Sequence, residues 1–226
     1  MTHARLITYA LRSIYLLMPL SIALSLLWAP PAAVLGESSR ILYLHVPIAW
    51  VSALAFVVAG AFAIAFLADR AGRVRLLDEK AHHSAELGFL FAVLATATGA
   101  VWARAAWGSY WNWDPREMSI TFLLLIYVAY FSLRASLAGN PARGRICASY
   151  LIIAMAAAPF FIFVMPRLYP SLHPDPVINP DRKVHLDGRM QITLAIAVCS
   201  FTLLYAYLMH LRARIASIAH RREGSS

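Results

Sequence analysis

The chain has 226 residues, 61% of them hydrophobic and only 14% charged, against about 25% charged in an average soluble domain. A water-soluble chain of this length could not hide so much apolar side chain, so the composition excludes a soluble protein and calls for the bilayer as solvent. The formal charge of +9 would suggest a nucleic-acid partner in water, but the basic residues cluster between apolar runs, so membrane topology accounts for them and no nucleic acid is implied.

A helix needs about 20 apolar residues to span the hydrocarbon core. Six segments qualify in chain order: 16–35, 41–67, 85–106, 118–137, 146–165 and 190–211. The expected fold is an all-α integral membrane protein, one six-helix membrane domain over residues 1–226, with a basic cytoplasmic tail at 212–226 that is expected to be mobile. The first run lacks the polar, small-residue exit of a cleaved signal peptide and is expected to stay as a span. The second is long enough to tilt or to begin outside the core. Cys147 and Cys199 fall in apolar runs without a CxxC pair, so they read as small hydrophobes rather than redox thiols.

Orientation follows from lysine and arginine in the short connections. With the N-terminus in the cytoplasm, the inner segments hold Arg5, Arg12, Arg70, Arg73, Arg75, Lys80, Arg134, Arg143, Arg145, Arg212, Arg214, Arg221 and Arg222. The fewer outer basic residues are nearly cancelled by Glu37, Asp114, Glu117, Asp175, Asp181 and Asp187. Both termini are therefore expected inside. Three connections then face outward: a short one before His45, a tryptophan-rich one between the third and fourth spans, and a long one from Pro166 to Arg189. The last contains Pro166, Pro170, Pro174, Pro176 and Pro180, which suppress regular helix and predict a stiff, extended loop.

The second connection reads W-G-S-Y-W-N-W-D-P-R-E at 107–117. Wound as a helix, it would set Trp107, Tyr110, Trp111 and Asp114 on one face. Trp113 would point elsewhere, and Gly108 would let something approach the backbone closely. The alternative is an ordinary interfacial aromatic belt, with Asp114-Pro115-Arg116-Glu117 starting the fourth span as N-cap, N1 proline and capping-box glutamate. The two are compatible, since the cap can anchor the shelf.

Of eight histidines, His3, His82, His83, His210 and His220 lie at or near cytoplasmic ends. His45 sits at the outer mouth of the second span in L-H-V-P, with Pro47 in the first turn, and His173 in the proline loop in S-L-H-P. His185 follows Arg182-Lys183 and reads as solvent-exposed. Two histidines flanking an aromatic shelf suit a large flat ligand with a metal at its centre, and haem fits, because imidazole is a good axial ligand for its iron. Arg40, Arg104, Arg116, Arg167 and Arg189 are candidates to pair with propionates through bidentate bonds.

Trp107, Gly108, Trp111, Trp113 and Asp114 match the pattern WGxxWxWD. This resembles the tryptophan-rich WWD signature of the haem-handling family of cytochrome c biogenesis (CcmC, CcmF and CcsA). R-I-L-Y-L-H-V-P at 40–47 and S-L-H-P at 171–174 resemble that family's two histidine segments, and length and span count resemble the CcmC branch over essentially the whole chain. The D-P-R-E ending at 114–117 also resembles the CcsA-type haem ligase branch, which usually has more spans.

The resemblance implies that His45 and His173 are axial ligands to a transiently bound haem b, and that Trp107 through Asp114 form its platform. It implies a site on the periplasmic face of the bacterial inner membrane and delivery to a periplasmic haem chaperone of the CcmE type. The implied partners are an ATP-binding cassette pair (CcmA and CcmB) and a small membrane protein (CcmD), besides the membrane lipid. This chain has no G-x-x-x-x-G-K-[ST] loop, so ATP hydrolysis falls to a partner. The expected role is haem transfer rather than enzymatic turnover, a ligase being the alternative. A cytochrome b-type electron carrier would need histidines deep in the spans. A cofactor-free transporter would carry ionisable residues or broken helices at mid-membrane.

Overall fold

The computed structural model describes residues 9, 11–33, 35–69, 74–173 and 186–223. From Ile14 onward the described residues form six helices: α1 (Ile14–Trp28), α2 (Leu42–Ala68), α3 (Val74–Trp107), α4 (Pro115–Ser136), α5 (Arg143–Leu168) and α6 (Gly188–Glu223). A 3-10 turn, Glu37–Ile41, leads into α2. Five of the helices are long and apolar enough to cross a membrane, and α1 is a shorter apolar helix. The chain is thus an all-α, multi-pass membrane protein, and no strand occurs among the described residues beyond an isolated Ala32–Gly36 bridge.

The boundaries differ from the apolar segments for local reasons. Helix α1 stops at Trp28 rather than 35. Ala29 is already extended (φ −69°, ψ 130°), the conformation imposed on a residue before proline, and Pro30 and Pro31 cannot continue the ladder. Helix α3 begins at Val74 rather than 85, because the polar residues 76–84 wind as helix before the chain becomes apolar. Helix α6 runs beyond 211 to Glu223. The basic tail lacks glycine or proline up to that point and is rich in good helix formers, so it continues the helix over 212–223. Pro47 lies one turn further into α2 than the sequence suggested and cannot donate to the Tyr43 carbonyl. Pro166, expected in the outer loop, instead lies within α5: a π turn over Phe160–Val164 ends just before it, and the helix restarts with proline in the first turn, where no N–H is required.

Helices α2 and α3 pack through small residues, which permit the close backbone approach that replaces hydrophobic driving force in a bilayer. A Cβ on Gly88 would lie 2.6 Å from the Phe56 ring, so glycine is what admits that ring. Phe56 in turn stacks on Tyr127 of α4, centroids 3.8 Å apart. Serine hydroxyls bond across the seam, Ser52 to the Gly88 carbonyl (2.9 Å) and Ser84 to the Ala55 carbonyl (2.7 Å).

At the end of the bundle opposite the tryptophan connection, Arg134 of α4 makes a bidentate pair with Asp78 of α3, at 2.7 and 2.9 Å. The Arg134 side chain is only 7% exposed. Removing one partner of such a pair strands the other charge, so Asp78→Ala is expected to destabilise the detergent-solubilised protein by about 3 kcal/mol. Thermal unfolding of the variant measures this, and an unchanged midpoint would show the pair to be dispensable.

Candidate functional site

At the end of the bundle that carries the tryptophan connection, α2, α3, α4 and α5 line a cavity of about 740 Å³, within the range of small-molecule and cofactor sites. The space exists because the walls from α2 and α3 are built from Ala49, Ala53, Ala95, Gly99 and Ala100. Leu123 and Phe161 also line it, and His45, His173, Arg116, Glu117 and Arg167 are its titratable side chains. An apolar chamber with a few convergent polar groups is the usual form of a cofactor site.

His45 projects from α2 with Nδ1 3.0 Å from the Thr98 hydroxyl on α3. That hydroxyl lies 2.9 Å from the Leu94 carbonyl and 3.1 Å from that of Ala95. Its one hydrogen is therefore committed to its own helix, and its oxygen accepts the Nδ1 proton. The tautomer follows: Nε2 carries the lone pair. Gly99 makes the room, since a Cβ there would sit 3.0 Å from His45 Cε1. Gly99→Val should push the ring aside and lower ligand affinity at the site about tenfold or more while the helices stay intact, checked by ligand titration beside circular dichroism.

The tryptophan connection is not helical, contrary to the helical shelf. Helix α3 ends at Trp107, whose follower Gly108 takes φ +83° and donates its N–H to the Arg104 carbonyl at 3.1 Å. This is the left-handed glycine stop. A Cβ on Gly108 would meet nothing within 4 Å, so the residue is there for its backbone conformation and not for close approach. Trp113 also has positive φ (+57°), which breaks the helical periodicity a second time.

The five aromatic-segment residues thus have separate places. Trp111 lines the cavity. Trp107 packs edge-on against the His173 ring, centroids 4.8 Å apart. Gly108 ends α3. Trp113 is 73% exposed, its ring edge-on to Trp111 at 6.2 Å.

Asp114 holds the site together. It is the N-cap of α4, accepting from the Arg116 N–H at 2.9 Å, while Glu117 completes the capping box by accepting from the Asp114 N–H at 3.1 Å. The same carboxylate also reaches the loop after α5. It accepts from the Leu172 N–H (2.7 Å) and the Ser171 hydroxyl (2.9 Å), and lies 3.0 Å from His173 Nδ1. Its side chain is 1% exposed. Burial alone would raise its pKa, but the Arg116 and Leu172 amides, the Ser171 hydroxyl and His173 outweigh that, and the carboxyl titrates below its usual range.

Burial, then the nearby Arg116 guanidinium, push His173 down to about 4 despite Asp114. At neutral pH the pair is a carboxylate and a neutral imidazole. Nδ1–H donates to Oδ1, and the Nε2 lone pair is free for a metal. His45 and His173 line the same cavity and feel one another electrostatically.

The five arginines separate. Arg116 and Arg167 line the cavity. Arg167 also donates to the Phe163 carbonyl at 2.5 Å. Arg40 is engaged with Glu37 (2.5 Å) and with the Ser25 and Ala29 carbonyls at the end of α1. Arg104 donates to the Gly108 carbonyl and lies over the Tyr110 ring at 5.8 Å. Arg189 lies 3.8 Å from Asp187, both exposed. His185, Arg182, Lys183 and the prolines at 174, 176 and 180 fall outside the described residues.

Three participants escaped the sequence. Trp102 lines the cavity and packs against both Trp107 (4.7 Å) and His173 (5.8 Å). Ser171 and Thr98 orient the two histidines. Ser171 carried a signal, as it stands two residues before His173. Thr98 carried none.

All 226 residues match the profile of the family described as Heme exporter protein C, CcmC. A Heme exporter protein C of Bradyrhizobium diazoefficiens is 32% identical over 187 residues, covering 83% of this chain and 69% of that relative. One of Rhodobacter capsulatus is 24% identical over 220 residues, covering 97% and 90%. A cytochrome c biogenesis protein CcsA from a Synechococcus species is 44% identical over only 64 residues, 28% of this chain. With a match that spans its full length, and with the histidine and tryptophan segments converging on one cavity, the chain belongs to the heme exporter protein C family.

Proposed function

We propose that this protein binds haem at its outer face and hands it on for c-type cytochrome maturation. The observation that carries this is the pair His45 and His173, both lining one cavity and each with its Nδ1 proton committed to a partner, so that each offers a bare Nε2. Haem b is the cargo, not a resident cofactor. Two neutral imidazoles saturate its iron and suppress oxygen chemistry, Trp111 covers part of the macrocycle, and Arg116 and Arg167 are the arginines best placed for its propionates.

The haem site faces the periplasm in a bacterial inner membrane, with both termini in the cytoplasm. Six apolar helices among the described residues would keep the two ends on one side, and the basic continuation of α6 is the positive-inside end. A periplasmic haem chaperone of the CcmE type is the recipient, with CcmA-, CcmB- and CcmD-type components as partners. No covalent chemistry on the protein is required, which makes it a delivery component rather than an enzyme.

The test is an absorption spectrum of the detergent-purified protein, oxidised and reduced, after supplying haem. A sharp low-spin six-coordinate spectrum, altered in Trp111→Ala, is the expected result. Protein that stays colourless would leave the tryptophans as an interfacial belt and end the proposal.

A further inference from the structure

We infer that the two histidines hold the iron unequally, and that the bond to His45 is the one that opens for transfer. The inference rests on the proposal that haem iron lies between them, and it goes further by giving the exchange a direction. The two rings differ in what their Nδ1–H meets. His173 donates to a carboxylate buried to 1% exposure. An anionic acceptor draws the proton away, makes the imidazole more basic and strengthens its bond to a metal. His45 lies 3.0 Å from the Thr98 oxygen, a neutral hydroxyl whose own hydrogen is committed to a helix carbonyl, with the equally neutral Ala95 carbonyl as its other hydrogen-bonding partner. That partner fixes the tautomer but adds no negative charge.

The surroundings point the same way. The His173 ring is braced by Trp107 and Trp102, at 4.8 and 5.8 Å, and its loop is tied to Asp114 through Ser171 and Leu172. Beside His45 the walls are Ala49, Ala95 and Gly99, which leave space for a small ligand to enter as the ring withdraws. The step is a ligand exchange: the Fe–Nε2 bond to His45 breaks, a bond from iron to an incoming neutral donor forms, and no proton or electron moves. The haem stays on His173 until the acceptor holds it.

Carbon monoxide is the probe, because on ferrous six-coordinate haem it takes the place of the weaker axial ligand. The full-length, haem-loaded protein is reduced and exposed to carbon monoxide, and its Fe–CO stretching signature is compared with those of His45→Ala and His173→Ala. The wild-type adduct should match that of His45→Ala, with His173 remaining opposite the carbon monoxide. A match to His173→Ala, or an even mixture of the two signatures, overturns the inference while leaving haem binding intact.

Should the alanine variants fail to hold haem, Thr98→Val supplies the reading. Losing the Thr98 oxygen as an acceptor weakens the His45 bond further, so carbon monoxide should bind about tenfold faster than in the wild type, the low end of what an outer hydrogen-bonding partner is worth. An unchanged rate overturns the inference. Wild-type protein that takes up no haem at all overturns the proposed function, and this inference with it.

Discussion

Replacing either His45 or His173 with alanine is expected to reduce c-type cytochromes to background in a strain that depends on this protein, while the variant still accumulates in the membrane. Neither change should unfold the chain. Thr98 keeps its hydrogen bond to a carbonyl of its own helix when His45 is removed. Asp114 keeps the Arg116, Leu172 and Ser171 donors when His173 is removed. On the proposed function, each variant would lose half of the axial coordination, and a five-coordinate haem is both held less tightly and open to oxygen. Haem staining of membrane fractions, beside an immunoblot for the variant, separates loss of function from loss of protein. Normal holocytochrome in both variants would sink the two-ligand arrangement.

Asp114 gives the second large effect, and here two substitutions divide its roles. Alanine removes the cap of α4, worth about 1 kcal/mol. It also strands the Leu172 amide, the Ser171 hydroxyl and the His173 Nδ1–H, each costing about 1–3 kcal/mol where it stays buried. The loop after α5 should then detach, and maturation should fail with only a modest drop in thermal midpoint, since the helices themselves are intact. Asparagine caps a helix as well as aspartate, but it offers His173 no negative charge. Asp114→Asn should therefore keep the α4 cap and lose less stability than alanine does, its one amide oxygen serving some of the donors that the carboxylate held, while haem affinity falls about 10–100-fold, the usual cost of losing a partner behind a metal-ligating histidine. If asparagine matched the wild type in haem titrations, Asp114 would be a helix cap and nothing more.

Much of this was legible in the chain before any coordinates. The helical spans follow from hydrophobic length, because a bilayer leaves a long apolar run few alternatives to helix. The D-P-R-E string announced the capping box, which is local and needs only residues a turn apart. The same string could not announce that its carboxylate also holds residues 171–173, since nothing in residue order encodes a contact across that separation. Arg40 and Arg104 looked like free cations for a ligand because charge is visible in a sequence, whereas the helix-end carbonyls they satisfy are not. The helical shelf failed for a definable reason: Gly108 and Trp113 adopt positive φ, and periodicity counting assumes that no residue does.

That one carboxylate has a consequence for the order in which the protein is made. Asp114 leaves the ribosome with α4 and can cap it at once, using neighbours already synthesised. His173 emerges 59 residues later, after α5 has been laid down. At about 5–20 residues per second the gap is on the order of 3–12 s. During that interval the nascent chain has His45, the tryptophans and the carboxylate, but not His173. A growing chain can therefore acquire its membrane architecture well before the two-histidine pocket is complete, and on the proposed function haem binding would report that the loop after α5 has docked on Asp114.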